Sequence, residues 1–170
     1  NLNELSFFLK NTKDFGKIKV LGAGSNTLIR DGGFSGIIVK FGKSFSHISL
    51  FDKNTIIAGS STLDKNLSNF ALENSLSGFE FLSCLPGTIG GGIRMNSGCY
   101  GEDISKILIS VQTMDLNGKV KVFYPSDINF SYRGCSMDND LIFISATFRG
   151  KIDNKNNIQK KINNLTERKK

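Results

Sequence analysis

The chain has 170 residues, 39% of them apolar, which suffices for one domain or two small lobes sharing a core. Its net charge of +7 is uneven: residues 151–170 hold seven basic and two acidic groups, so the rest is only about +2 and shows no Lys/Arg stripe interleaved with aromatics of the kind nucleic acid requires. No run approaches the ~20 apolar residues of a membrane span, and Cys84, Cys99 and Cys135 lack CxxC spacing, which argues against a disulfide framework or a zinc site and for reduced thiols in a cytoplasm.

Leu2, Leu5, Phe8 and Leu9 are spaced for one face of a short helix, followed by turn-prone Asn11 to Gly16. Ile18 to Leu21 and GIIVKF (36–41) are β-prone runs, and HISLFDKNTIIAG (47–59) reads as a hairpin turning at Asp52, Lys53 and Asn54. The one histidine, His47, reads as a polar residue at a strand end, and any Ser/His/Asp triad would depend on it alone. Ser61, Thr62 and Asp64 offer N-cap chemistry for a helix through Leu63, Leu67, Phe70, Ala71 and Asn74, with Gly78 as its C-cap. Next comes LPGTIGGGIRMNSGCYG (85–101), six of whose residues are glycine and which reads as neither helix nor strand. ILISVQTMDLNGKVKVFY (107–124) is a hairpin with Asn117-Gly118 expected as a type I′ turn. LIFISATFRG (141–150) reads as a buried strand. Ile158, Ile162 and Leu165 give the basic last helix a thin apolar stripe to pack against or lead into something else.

Three stretches carry candidate chemistry. LGAGSNTLIRDGGFSG (21–36) ends a strand in Gly-x-Gly, but Asp31-Gly32-Gly33 interrupts the helix that a Rossmann unit needs, no acidic residue stands near position 42, and no Gly-Lys-Ser/Thr marks a P-loop. Two readings remain: an anion-binding nest built on the amides of Gly24, Ser25 and Asn26, or a tight turn between strands. The glycine run of 85–101, preceded by Phe79 and Phe81, reads either as a loop pressed against a flat apolar ligand or as a turn packed on a strand. In FSYRGCS (130–136), Arg133 beside Tyr132 offers a planar fork of donors for a carboxylate, or simply lies on the surface.

Together and in this order, LGAGSNTLIRD, GFEFLSCLPGTIGGGIRMNSGCYGEDI and INFSYRGC, followed by IFISATF, resemble the UDP-N-acetylenolpyruvoylglucosamine reductases, flavoenzymes of peptidoglycan synthesis. The resemblance covers nearly the whole chain. It implies an α+β fold of the PCMH / vanillyl-alcohol-oxidase type: a first FAD-binding lobe in 1–58, N-terminally incomplete, a second in 59–150, and a basic helix in 151–170 leading to a substrate domain outside the chain. FAD would be held non-covalently, since His47 is a poor match for a covalent tether. Gly22, Gly24, Ser25, Asn26 and Thr27 would hold its pyrophosphate. Pro86, Gly87, Thr88, Gly90 and Gly91, then Asn96 and Gly98, would follow its ribityl and ring portions, with Tyr132 among the contacts.

The resemblance further implies NADPH as reductant and UDP-N-acetylglucosamine enolpyruvate as substrate, with Arg133 binding the substrate carboxylate and stabilising the enolate. The family's protonating serine and assisting glutamate are expected beyond Lys170, in a third domain supplied in cis or in trans. Ser97 and Cys99 stand where alanines are common, and Cys84 where glycine is. The starting Asn1 and the terminal ERKK fit a piece of a longer protein. Two other readings are a different flavoprotein of the same two-lobe fold and a nucleotide- or RNA-binding module using the basic tail.

Overall fold

The computed structural model describes residues 1–169. Helix α1 (Leu2–Thr12) starts with a capping box in which Asn1 Oδ1 accepts the Glu4 N–H and Glu4 reaches back to the terminal amine. It buries Leu5 and Leu9. The expected turn over 11–16 is instead the last helical turn and a 3₁₀ segment, Lys13–Phe15, because Asn11 and Thr12 donate their side chains back to the Phe7 and Phe8 carbonyls. Strands β1 (Lys17–Val20) and β2 (Gly36–Val39) pair in parallel and leave residues 21–35 as a long loop at one end.

Strands β3 (Ile48–Leu50) and β4 (Thr55–Gly59) form the expected hairpin. Helix α2 (Asp64–Glu73) follows, but its N-cap is Leu63 with no side-chain cap. The expected capping hydroxyls are engaged elsewhere: Ser61 Oγ donates to the Gly42 carbonyl (3.2 Å) and Thr62 Oγ1 to that of His47 (3.3 Å). Nor is Gly78 the C-cap. The helix closes at Asn74, and Ser75 (φ 59°) is the first left-handed residue after it.

The remaining elements are β5 (Leu76–Ser77), α3 (Ile89–Arg94), β6 (Gly98–Cys99), β7 (Glu102–Asp103), β8 (Leu108–Met114), β9 (Val120–Phe123), β10 (Phe130–Ser131), β11 (Gly134–Cys135), β12 (Ile142–Arg149), β13 (Lys151–Ile152) and α4 (Lys155–Lys169). The expected type I′ turn between β8 and β9 is not formed, since only Gly118 has positive φ (74°). The Gly118 N–H closes on the Asp115 carbonyl (2.8 Å) while Asp115 Oδ1 accepts the N–H groups of Asn117 and Lys119. One left-handed glycine is then enough, as in three-residue hairpin loops.

An antiparallel sheet in the order β3-β4-β12-β8-β9 organises the chain. Strands β3 and β4, whose hairpin ends at Gly59, belong to the same sheet as β12 and β8. Along β12 the side chains serve both faces of the sheet, and a register shift against β8 between Phe143 and Ser145 resets their alternation. Phe143, Ala146 and Phe148 join Leu67, Ala71, Phe79, Phe81 and Ile93 in a core under α2 and α3, while Ile142 and Ile144 meet Leu5, Leu9, Ile18 and Phe45 under α1 and the β1-β2 pair. Helix α4 lies along the 3₁₀ segment Glu80–Cys84 through buried Ile158 and through Lys161, which reaches Ser77 Oγ (2.9 Å), Asp153 (3.2 Å) and Glu80 (3.5 Å).

Candidate functional site

A cleft of about 1360 Å³ runs between the β1-β2 side and the α2-α3 side. Its lining includes every residue singled out above as a cofactor or substrate contact: Gly22, Gly24, Ser25, Asn26, Thr27, Pro86, Gly87, Thr88, Gly90, Gly91, Asn96, Gly98, Tyr132 and Arg133. Stretches more than 100 residues apart in sequence thus meet around one space.

The loop after β1 forms one wall. Leu21 is tied by its N–H to the Val39 carbonyl (2.9 Å), which fixes where the chain leaves the strand. Gly24 takes φ 78°, and the Thr27 N–H folds back to its carbonyl (3.3 Å). Among the described residues no acceptor receives the N–H groups of Gly24, Ser25 or Asn26, and a Cβ on Gly24 would meet nothing within 4 Å. These are exposed, unpaired donors around a turn, the arrangement that backbone nests use for anions.

The opposite wall is built differently. Residues 85–101, read from sequence as neither helix nor strand, contain the short helix α3, and glycine's poor helix propensity is overridden by docking. The N–H groups of Ile89 and Gly90 donate to the carbonyls of Thr62 (2.9 Å) and Ser60 (2.8 Å), which seats the run on the turn before α2. A Cβ on Gly92 would lie 2.5 Å from Ile104 Cδ1 behind this wall, and one on Gly22 would lie 2.5 Å from Thr88 Oγ1, so the two walls meet closely at Gly22 and Thr88. Gly91 alone of the three consecutive glycines is exposed toward the cleft; a Cβ there would meet only Thr88 Oγ1, at 3.6 Å.

Asn96 is left-handed (φ 42°), and its amide is engaged at both ends: Oδ1 accepts the Ser105 N–H (3.2 Å) and Nδ2 donates to the Ser131 carbonyl (3.3 Å). What it offers the cleft is its backbone and a pin between β10 and the chain after β7. Tyr132 and Arg133 are the two turn residues of the β10-β11 hairpin, with Arg133 left-handed (φ 59°). Tyr132 is 89% exposed; Arg133 Nε donates to its hydroxyl (3.3 Å), with the guanidinium carbon 5.6 Å from the ring centre. The guanidinium therefore stands at the rim of the cleft, in solvent.

Among the lining residues that sequence reading did not assign to the site, Arg94 and Asp64 stand out. Arg94 donates to the carbonyls of Met137 (2.7 Å), Asp138 (3.1 Å) and Leu141 (2.8 Å) and lies 4.5 Å over the Phe143 ring, fastening the chain after β11 to α3. A lone charge inside an apolar glycine-rich run was the available signal. Asp64 read as N-cap chemistry for α2, but it is the first residue of the helix and is buried. Cys99 lines the cleft with buried Cys84 beside it; burial first, and then the Cys84 neighbour, pushes the Cys99 thiol up to about 11, so it stays protonated at neutral pH.

The residues suit a dinucleotide flavin. The volume exceeds the ~300–1,000 Å³ of drug-sized sites, unpaired amides face one end, and Gly91 presents bare backbone on the other wall. Fold and cleft together define a two-lobe α+β FAD-binding fold. The chain belongs to the FAD binding domain family, whose match spans residues 2–124.

Among curated relatives, the UDP-N-acetylenolpyruvoylglucosamine reductase of Pelagibacter ubique is 48% identical over 169 residues, 99% of this chain and 56% of that protein. The reductase of Rickettsia typhi is 42% identical over 94% of this chain and 54% of its own length. The chain thus spans about half the length of these relatives. The crystal structure of the reductase from Thermus caldophilus superposes with a TM-score of 0.83 at 24% identity, covering 99% of this chain and 59% of that one. A Cu,Mo-CO dehydrogenase chain superposes at 0.64 with 12% identity over 88% of this chain and 57% of its own, sharing the fold alone.

Proposed function

We propose that this chain is the FAD-binding part of a reductase that converts UDP-N-acetylglucosamine enolpyruvate to UDP-N-acetylmuramate at the expense of NADPH, in the cytoplasm, for peptidoglycan synthesis. The observation that carries this reading is the meeting of the Gly22–Thr27 loop, the Pro86–Gly98 wall and the Tyr132-Arg133 turn around one cleft. The similarity to reductases at 48% and 42% identity supports the choice of reaction within the fold.

When bound, FAD would supply two-electron hydride chemistry between NADPH and the enolpyruvyl carbon C3. The protein's part is binding and charge. The unpaired N–H groups of Gly24, Ser25 and Asn26, with the adjacent hydroxyls, hold the pyrophosphate. The chain from Pro86 to Gly92 backs the ribityl and ring portions, with Thr88 and Asn96 fixing where the two walls and the hairpin stand. Arg133 holds the substrate carboxylate and opposes the negative charge that develops as C3 gains hydride. An exposed guanidinium acts weakly through water, so its field strengthens only when the cleft mouth is covered.

No residue of this chain is assigned the proton for C2. That proton belongs to a serine, assisted by a glutamate, on a third domain in cis or in trans, a proposal supported by relatives nearly twice as long as this chain.

The experiment is to purify the chain, record its absorption spectrum, and titrate it with FAD while following flavin fluorescence. Saturable binding, with free FAD released on acid precipitation, is the expected result; absence of binding would remove the reading. Substrate-dependent NADPH oxidation is expected only once the third domain is supplied.

A further inference from the structure

Two buried carboxylates lie on the α2 side of the molecule and are treated very differently. Glu80 accepts from Ser77 Oγ (2.7 Å) and the Gly78 N–H (2.7 Å) and pairs with Lys161 (3.5 Å). Asp64, at the first position of α2, is 1% exposed and lines the cleft, yet its Oδ1 has no hydrogen-bond partner among the described residues. It sits directly behind the glycine wall: a Cβ on Gly87 would come within 2.7 Å of Oδ2, and one on Gly92 within 3.5 Å of Oδ1. Its N–H donates to the Gly87 carbonyl (3.1 Å), and the Gly87 N–H is turned toward the carboxyl.

Among the described residues no cation pairs with this carboxyl. On α3, Arg94 is engaged with the carbonyls of the chain after β11. Beyond α3, Lys106 pairs with Glu102 (3.4 Å), and Asp103 accepts from Ser105 Oγ (2.5 Å). Lys65, next on α2, is exposed, and the segment from 84 to 88 brings only the buried thiol of Cys84. Burial pushes the Asp64 carboxyl up to about 7, opposed only by the Gly87 N–H. The group is thus balanced near neutrality, where another nearby charge can decide its state.

An anionic ligand in the cleft is such a charge. Gly22, where the pyrophosphate loop begins, lies against Thr88, the neighbour of the Gly87 that covers Asp64, so a diphosphate on that loop and an ionised Asp64 repel each other through a poorly solvated layer, in addition to the desolvation that the carboxylate already suffers. Both penalties vanish when Asp64 is neutral. We propose that Asp64 is a proton-carrying positioning residue of this cleft: a pyrophosphate-bearing flavin binds the form of the chain in which the Asp64 carboxyl is neutral, so that binding draws a proton from the buffer onto Asp64. This rests on reading the cleft as a flavin site and adds a proton to its binding equilibrium.

The test is calorimetric titration of the flavin-free chain with FAD in buffers of different ionisation enthalpy. Close to one proton taken up per FAD is expected at about pH 8 and nearly none at about pH 5.5, with affinity falling by up to about tenfold per pH unit above 7. Asp64→Asn keeps the shape and an acceptor for the Gly87 N–H but cannot ionise. It is expected to bind FAD without that uptake and without that fall. FAD binding with no proton uptake by the wild type at pH 8, or with unchanged uptake by Asp64→Asn, overturns the inference alone. If the variant fails to fold, the wild-type proton count still decides. No FAD binding at either pH overturns the flavin reading and this inference with it.

Discussion

The two walls of the cleft are both rich in glycine but use it for opposite ends. In the loop from Gly22 to Thr27, Gly24 is open to solvent on its Cβ side, and three successive N–H groups await an acceptor. In the wall from Pro86 to Gly98 most of the glycines are required from behind, by Asp64 at Gly87, Ser60 at Gly90, Ile104 at Gly92 and Asp103 at Gly98. The first wall is a set of donors on an exposed turn; the second is a packed scaffold that happens to show its backbone. Glycine content alone does not distinguish a ligand loop from close protein packing. Where a Cβ would go does.

If the second wall is scaffold, substitutions there should register in the stability of the flavin-free chain, and the largest effect should come from what is buried behind it. The Asp64 carboxyl, held at about 7 in the folded state against an ordinary value of 3.8, destabilises the fold once it must ionise. Its contribution is fully favourable below about pH 4 and is lost as pH rises through 7, for a total of roughly 4 kcal/mol. Urea unfolding at a series of pH values should therefore show the wild type losing stability relative to Asp64→Asn between about pH 4 and 8. A constant difference between the two would place the carboxyl in a more polar environment than the scaffold provides.

Next in size is Gly92→Val. The added carbons meet Ile104, itself fully buried, and the carboxyl of Asp64. Overpacking of this kind costs about 1–3 kcal/mol, which a thermal melt of the flavin-free chain reads directly; an unchanged melting temperature would mean that the wall gives way easily. Asn96→Ala follows at about 1–2 kcal/mol, from the loss of both amide contacts and of a residue suited to φ 42°. Its sharper readout is Arg133. With the pin to Ser131 gone, the hairpin turn should exchange more freely, so amide hydrogen exchange over 130–135 should accelerate even if the melt moves little.

Much of the frame was legible in the sequence because it depends on local pattern. The apolar spacing in α1, the alternation in the 48–59 hairpin and the run ending in β12 announce themselves within a few residues. The parts that were not legible depend on partners far along the chain. Ser61 and Thr62 have the chemistry of caps, but carbonyls at Gly42 and His47 claim their hydroxyls. IGGGIR has every local reason not to be helical and becomes α3 because Ser60 and Thr62 receive its first amides. Asp64 has the chemistry of a cap, but the chain from 85 to 92 closes over it. The motif order was enough to bring the lining residues together in expectation, but it could not say that the Asn96 side chain faces protein at both ends.

The smallest effect separates the two walls most clearly, because Gly91 is the exception within its own wall. It lies in α3 with helical backbone, so alanine there removes conformational freedom from the unfolded chain and improves helix propensity, by up to about 1 kcal/mol. The methyl group meets only Thr88 Oγ1, at an ordinary contact distance of 3.6 Å, so nothing on the protein side opposes it. Gly91→Ala should leave the flavin-free chain as stable as the wild type or slightly more so, while the same methyl enters the space assigned to FAD. Gly24→Ala gives the converse control: its φ of 78° strains any side chain, yet the Cβ meets nothing. Melting curves and FAD titrations of the two variants should therefore move in different combinations, with Gly91→Ala losing flavin affinity at no loss of stability and Gly24→Ala losing about 1 kcal/mol of stability from backbone strain. Equal flavin affinity in Gly91→Ala and wild type would mean that the glycine run is bare for packing alone, and that the cofactor lies closer to the first wall.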